Sequence, residues 1–522
     1  MNKQEIEILS DYFSHDEPFG PIDAEEIENP KALAILFEHH NKIYAALRQR
    51  PSIVVGRKGS GKTSYLNSVY FDETYKYKIE LDTSEALTSV INAVSQLTKG
   101  PVFSKTVAKI WENILITGLF SEIRSELNKN YKSKKLINDY LAKIGIRDAG
   151  TFDDVLWKIT DIISEKSSKS IHGLAAEILR ALDNVTFIKT KKILFDELKE
   201  NKVKAVILLD SLDDFQLHLS DVARAIQGLL KFIGSSNKPS VPLDIRFCLP
   251  AELYHLFVNL SSNPNKDFKR RLLLHWVASE LVMVAAHRMT LYGEIYEDYV
   301  PQNVVRASLN NKDDAQTILH SILPDKVTCK LDVDENPLAY ILRHTQLLPR
   351  HLLIILNSIC DKNKKYQENS ESLKIDEVAI RKGIREVEGT IVQEIFIAFD
   401  SQYPNARKVC EACIPELHHK FSLGDLQIVF RTHGKKAMGT DDFDDFKSML
   451  IEIGAIGRVM DDSGRYIQAE FEYTVPNKLV TSTDDLLCFH PLFAEIFNAK
   501  IRDRKPVYPY GSRIEDKDYR SM

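Results

Sequence analysis

The sequence predicts an α/β chain: a parallel-sheet core with a large helical insertion, then a helical lid and a C-terminal winged-helix module. Three observations predict this class. Residues 53–63 join an apolar, β-branched run to a glycine loop and a helix start. Far along the chain, a second buried-strand run ends in an acid, Asp210. Between 404 and 474, three helical stretches precede an alternating hairpin. The expected divisions are an N-terminal helical segment at 1–50, a core at 51–300 with its insertion at 82–201, a lid at 301–400, a winged helix at 401–500 and a charged tail at 501–522.

The first strand is Ile53-Val54-Val55, of the kind buried in parallel sheets. Gly56-Arg57-Lys58-Gly59-Ser60-Gly61-Lys62-Thr63 follows, a complete GxxxxGK[ST] phosphate loop. Gly56, Gly59 and Gly61 let the backbone bend so that its N–H groups converge on phosphate oxygens, and the helix dipole adds positive potential. Lys62 is expected to reach the β- and γ-phosphates, and the Thr63 hydroxyl to ligate Mg²⁺. Arg57, Lys58, Ser60 and Ser64 complete the expected ATP-binding stretch, and a helix is predicted over 64–69. The fold class is therefore a P-loop NTPase type.

The composition, 44% hydrophobic and 27% charged with 9% aromatic, is that of a soluble globular protein. At 522 residues, more than one core is expected. A net charge of −5 advertises neither nucleic acid nor an anionic membrane. No apolar run approaches the ~18 residues that span a bilayer, and the start of the chain is wrong for a signal peptide. Six scattered cysteines argue for a reducing interior, so the expected location is the cytoplasm. Cys410-Glu411-Ala412-Cys413 is the one CxxC; with no second pair, it reads as two cysteines on a helix's core face, and no metal is assigned to it.

In chain order, an amphipathic helix through Leu33, Leu36, Phe37, Ile43 and Leu47 leads into the first strand, and residues 75–81 read as the second. The insertion predicts helices at 105–127, 134–145, 152–166 and 170–183, with partner or oligomer contacts as its usual role. Residues 206–209 then form a central strand that delivers Asp210 to its C-terminal tip, where α/β sheets bind ligands. Asp210 is expected to hold Mg²⁺ opposite Thr63. Asp213, preferred to Asp214, is expected to orient or deprotonate the attacking water. A strand at 243–249 runs into Pro250 and Glu252, without the polar tip residue that senses γ-phosphate in many such ATPases. Lys269-Arg270-Arg271 is a basic cluster before a fifth strand, a solvated patch or a finger for a neighbour's γ-phosphate. Residues 300–400 read as helical, with Pro349 in the first turn of an apolar helix and Arg350 beside it.

Strand–GRKGSGKT–helix, the distant ILLDSLDD strand, the basic segment before an LxW strand, and the PRHLLIILN helix resemble the STAND and KAP branch of P-loop ATPases. These are related to AAA+ proteins and origin-recognition ATPases, and the resemblance covers roughly residues 33–360. It implies a γ-phosphate contact for Arg350. The family's Asp-Asp pair at the strand end is Asp210-Ser211 here, a departure that bears on turnover more than on binding. Bacterial members of similar layout serve antiviral defence or mobile-element systems, and the resemblance implies such a setting.

In the C-terminal module, helices are predicted at 404–420, from Ser422 to Val429, and from a Thr440 cap to Ile453, ended by a left-handed Gly454. A hairpin follows across 461–464. The third helix opens Asp441-Asp442-Phe443-Asp444-Asp445, and carboxylates facing phosphates oppose duplex reading. The tail after Lys500 is expected to be mobile until it meets a partner. Together these readings predict an ATP-hydrolysing switch that self-assembles and controls a separate effector. The alternative is a nucleic-acid-handling ATPase that uses basic residues of the insertion or the 269–271 cluster. A small-molecule kinase fits poorly, given the long interval between Lys62 and Asp210.

Overall fold

The computed structural model describes residues 3–37, 47, 49–81, 87–88, 90–91, 94, 103–146, 155, 158, 161, 184–210, 219–238, 240–261, 270–305, 308–366, 372–475 and 478–515. The chain divides into two compact units. One comprises Asn41–Lys58 and Lys62–Leu274; the other comprises Met1–His40, Gly59–Gly61 and His275–Met522.

The first unit is built on a five-stranded, all-parallel sheet in the order β2-β3-β4-β1-β5. Its strands are β1 (Ile53–Gly56), β2 (Tyr77–Leu81), β3 (Ala205–Leu209), β4 (Leu243–Pro250) and β5 (Arg271–Leu274). β1, β3 and β4 are buried throughout; β1 and β3 read as continuous apolar runs, whereas β4 also buries the charged pair Asp244 and Arg246. Since every strand runs the same way, one edge of the sheet collects all the C-terminal tips. The glycine loop follows β1 and Asp210 follows β3 on that edge, and β4 lies between them. This strand order and loop make the fold the α/β, P-loop NTPase type that the sequence predicts.

One helical expectation changes. The helix after the loop is Lys62–Leu66, shorter than predicted, because Ser68 caps a new helix, Val69–Thr74, by accepting the Tyr70 N–H. The insertion's first helix, Phe103–Ile123, is close to the 105–127 expected and is buried on nearly all sides. Trp111, Ile114, Leu115 and Phe120 join a core with Ile207, Ile245 and Phe247 of the sheet. The Trp111 indole N–H donates to the Ala225 carbonyl at 2.8 Å, in the helix Ser220–Ser236. Lys132–Lys143 and Val185–Glu200 are further insertion helices. The predicted helices at 152–166 and 170–183 lie almost wholly outside the described residues.

The second unit is mainly helical. Pro349–Tyr366 begins with its proline, as predicted, where a missing N–H costs nothing. It packs along Glu377–Phe399 so closely that a Cβ on Gly383 would lie 2.6 Å from the Ile359 backbone. A small antiparallel pair, β6 (Val327–Thr328) with β7 (Asp334–Glu335), interrupts the stretch expected to be helical throughout.

Toward the C-terminus come helix Ala406–Cys413, β8 (Lys420–Ser422), helix Leu423–Val429 and helix Phe443–Glu452. β9 (Ile456–Asp461) and β10 (Ile467–Glu470) form the expected hairpin. β11 (Leu486–Phe489) inserts between β8 and β9. Ser422 caps its helix as predicted, and Gly454 is left-handed at φ 73°. The next cap is Asp442, not Thr440, because its carboxylate accepts from the Asp444 and Asp445 N–H groups. Cys410 and Cys413 are both buried. The tail is folded at least through β12 (Val507–Pro509), which pairs with β10. Val507 and Tyr508 are buried, and the Tyr508 hydroxyl bonds Glu335, so apolar side chains anchor a segment whose charges suggested solvent.

Gly383→Ala is expected to lower stability by about 1–3 kcal/mol, because a backbone contact cannot be relieved by rotating a side chain. Urea denaturation measures the change. A gain in stability, as helix propensity alone would give, would contradict this packing.

Candidate functional site

The site is built from strand ends. β1 delivers Gly56, and the chain then reverses through Gly59 at φ 80° and Gly61 at φ 93°. Side-chain-bearing residues rarely adopt those angles, so the loop's course calls for glycine at both positions. At Gly59 the space is closed as well, since an added Cβ would meet Arg350 Cβ at 2.9 Å.

Lys62 is buried, and its ammonium folds back on the loop, donating to the Gly56 carbonyl at 3.2 Å and the Arg57 carbonyl at 3.4 Å. The Lys62 carbonyl sits 3.9 Å from the Cys248 sulfur on β4. This contact places the helix start over the strand that separates β1 from β3. Leu209 of β3 and Ile53 of β1 both pair with Phe247, so Asp210 is level with Cys248, one strand spacing of about 4.8 Å away. The structure thus brings Lys62, Thr63 and Asp210 to one edge of one sheet.

Thr63 and Asp210 are both half-buried and offer a hydroxyl and a carboxylate. Hard oxygen donors of this kind suit Mg²⁺, so the residues fit the ion that the loop implies. Ser64 is buried in the short helix, and the buried Ser60 hydroxyl has no hydrogen-bond partner among the described residues. Asp213 and Asp214 lie outside the described residues.

Glu252 is the residue that sequence reasoning passed over. It follows β4 by two positions and is almost wholly buried. Its Oε1 accepts the Lys58 backbone N–H at 3.0 Å and lies 3.6 Å from Arg57 Nε, so one carboxylate grips both residues of the loop's first half. The available signal was an acid just past the tip of a strand next to the loop strand. What was absent was the register that sets Pro250 beside Gly56.

In the second unit, Arg350 stands in the first turn of its helix, with its N–H 3.4 Å from the Gly59 carbonyl. Its guanidinium pairs with Asp23. Trp276 donates its indole N–H to the Ser60 carbonyl at 2.9 Å. Arg288 is fully buried, bonds the Phe19 and Pro21 carbonyls and lies over the Phe37 ring; burial pulls its guanidinium down to about 9. Of the basic cluster, Arg270 and Arg271 lie at the N-terminal start of β5, the opposite edge of the sheet from Gly56 and Asp210, and Lys269 is outside the described residues. Among the described residues, no group of three or more His, Cys, Asp or Glu is placed to hold a metal ion, and no helix is long and apolar enough to cross a membrane.

No protein-family model matches the chain, and no curated protein matches it. Among solved structures, it is similar to the Aeropyrum pernix ORC2 protein in ADPNP–ADP complexes, at 13% identity over 92% of this chain and 97% of that one, with a TM-score of 0.37. The ADP form of the same protein gives 13% identity over 88% and 91%, with a TM-score of 0.30. A closed state of Hsp104 with ATPγS and FITC-casein gives 12% identity over 78% and 50%, with a TM-score of 0.31. The fold assignment rests on the chain's own strand order and loop.

Glu252→Ala leaves the Lys58 N–H and the Arg57 side chain without this acceptor, and is expected to cost about 1–3 kcal/mol in chemical denaturation. Glu252→Gln keeps an acceptor for the N–H and should cost less. Equal losses would show that the carboxylate's position does not matter.

Proposed function

We propose that this chain is an ATP-binding and hydrolysing regulatory switch that assembles with copies of itself and controls a separate effector protein. The observation that carries this reading is the loop itself. Left-handed Gly59 and Gly61 and the inward-folded Lys62 lie on the sheet edge that Asp210 also reaches. Glycine where φ is positive and a lysine ammonium held against the loop's own carbonyls are features that suit phosphate binding.

In this reading, backbone N–H groups of the loop hold the phosphates, and Lys62 leaves the Gly56 and Arg57 carbonyls to reach the β- and γ-oxygens. Thr63 and Asp210 would hold Mg²⁺, which supplies charge neutralisation at the transferring phosphoryl group. Asp213 takes the role of orienting water. Arg350, against Gly59, is the cation the lid helix offers to the γ-phosphate, with Asp23 as its partner otherwise. Glu252 does not touch substrate; it positions the loop's first half.

The C-terminal helices and hairpin read as a winged helix that docks a protein partner. Asp441, Asp442, Asp444 and Asp445 are all exposed where a duplex-reading helix would present cations. The family resemblance supports bacterial antiviral defence as the setting and the cytoplasm as the location.

Lys62→Ala is expected to weaken binding of a fluorescent ATP analogue by roughly 10- to 150-fold, the worth of a charged hydrogen bond, while the circular dichroism spectrum is unchanged. Normal ATP hydrolysis by this variant would overturn the site. Asp210→Asn should retain nucleotide and lose magnesium-dependent hydrolysis. Light scattering with and without ATP and Mg²⁺ tests assembly, and an unchanged particle mass would remove self-assembly from the reading.

A further inference from the structure

The sheet of the first unit has a second charged edge that the nucleotide reading leaves unused. At the N-terminal ends of its strands is a cleft of about 480 Å³, lined by the cations Arg50, Lys204, Lys238, Arg270 and Arg271 and by one carboxylate, Asp244. Lys204 immediately precedes β3, Arg271 opens β5 and Arg50 lies just before β1, so the topology of the sheet itself gathers them.

Asp244 does not neutralise this group. Its carboxylate accepts the Tyr75 hydroxyl at 2.6 Å, and the buried Arg246 guanidinium lies at 3.3 Å, so it already has a cation of its own. Of the cleft's cations, Lys204 alone forms an ion pair with it, and that pair is long, at 4.0 Å. Arg50 bonds the Tyr70 hydroxyl and Arg271 the Tyr254 hydroxyl, both neutral partners. Among the described residues, no other carboxylate forms an ion pair with any of the five cations. Such a concentration of like charge in one cleft is self-repelling and is relieved by an anion.

The shape of the charge selects the anion. β3, β4, β1 and β5 are consecutive across the sheet, so its edge spans three strand spacings, about 14 Å in all. One phosphate group occupies a single point on such an edge. A nucleic-acid strand presents a charge about every 3.4 Å along its axis and so meets the whole row. Among the described residues no aromatic side chain lines the cleft, so they offer no platform for stacking a base. We propose that this edge binds the phosphodiester backbone of nucleic acid without reading its sequence. The site stands apart from the phosphate loop at the other edge, and each can fail without the other.

The test is fluorescence anisotropy of a labelled duplex of arbitrary sequence with the full chain, from about 50 to about 200 mM salt. The wild type should bind at low salt, with a log–log salt slope of about −3 to −4 if roughly four phosphates are neutralised. Lys204→Gln/Lys238→Gln should weaken binding by about tenfold or more and flatten the slope by about 2. The exposed Lys238→Gln alone should flatten it by about 1. Binding of the fluorescent ATP analogue should be unchanged in these variants, which reports that the fold is intact. Lys408→Gln/Lys436→Gln, in a second basic cleft of about 670 Å³ in the C-terminal region, should leave duplex binding as it is. The proposal is overturned if the wild type does not bind the duplex, or if the slope survives the double substitution. It is equally overturned if the loss follows Lys408 and Lys436, or if inorganic tripolyphosphate occupies the cleft while the duplex does not.

Discussion

The register between β1, β4 and β3 is the constraint on which the rest of the candidate site depends. Phe247 pairs with Ile53 on one side and with Leu209 on the other, and from that level the three chains run to a common edge. A slip of one residue in a pleated strand sends every side chain to the opposite face. In β4 such a slip would carry Cys248 away from the Lys62 carbonyl and move Glu252 out of reach of the Lys58 N–H. Because β1, β3 and β4 send Ile53, Val55, Ile207, Leu209, Ile245 and Phe247 into one core, register and core packing are one requirement.

Much of this was legible in the sequence, and the reasons are local. A phosphate loop needs glycine at positions of positive φ, and Gly59 and Gly61 occupy such positions. Buried parallel strands tend to be apolar runs, which is why 53–55 and 206–209 stood out before any pairing was known. Ser422 and Gly454 signalled a helix start and a helix end through side-chain capping and a left-handed turn.

The misses were non-local. Glu252 grips the loop across 194 positions of sequence, and no pattern in its neighbourhood reveals that partner. The Phe103–Ile123 helix showed a periodicity of three to four, yet its polar positions Asn113 and Thr117 are buried too, the latter within 3.2 Å of the Tyr140 hydroxyl. A hydrogen-bonded polar residue inside a core looks, in sequence, like the solvent face of an amphipathic helix. Similarly, the tail's charges concealed a short strand held by two apolar residues.

The two edges of the sheet illustrate two ways of holding phosphate. At the C-terminal edge, the donors are backbone N–H groups whose directions are set by left-handed glycines, so geometry selects the ligand and a single Cβ at Gly59 would spoil it. At the N-terminal edge, the donors are long side chains, four of them ending strand connections, and charge density selects the ligand with little demand on shape. Binding at the first edge is therefore expected to discriminate among phosphates, because its donors are fixed by the backbone. Binding at the second should accept any extended phosphodiester and weaken steeply as counterions compete. A parallel sheet makes this division natural, since it separates strand tips from strand starts by its full length. A triphosphate and a polymer can then be held by one core without competing for the same groups.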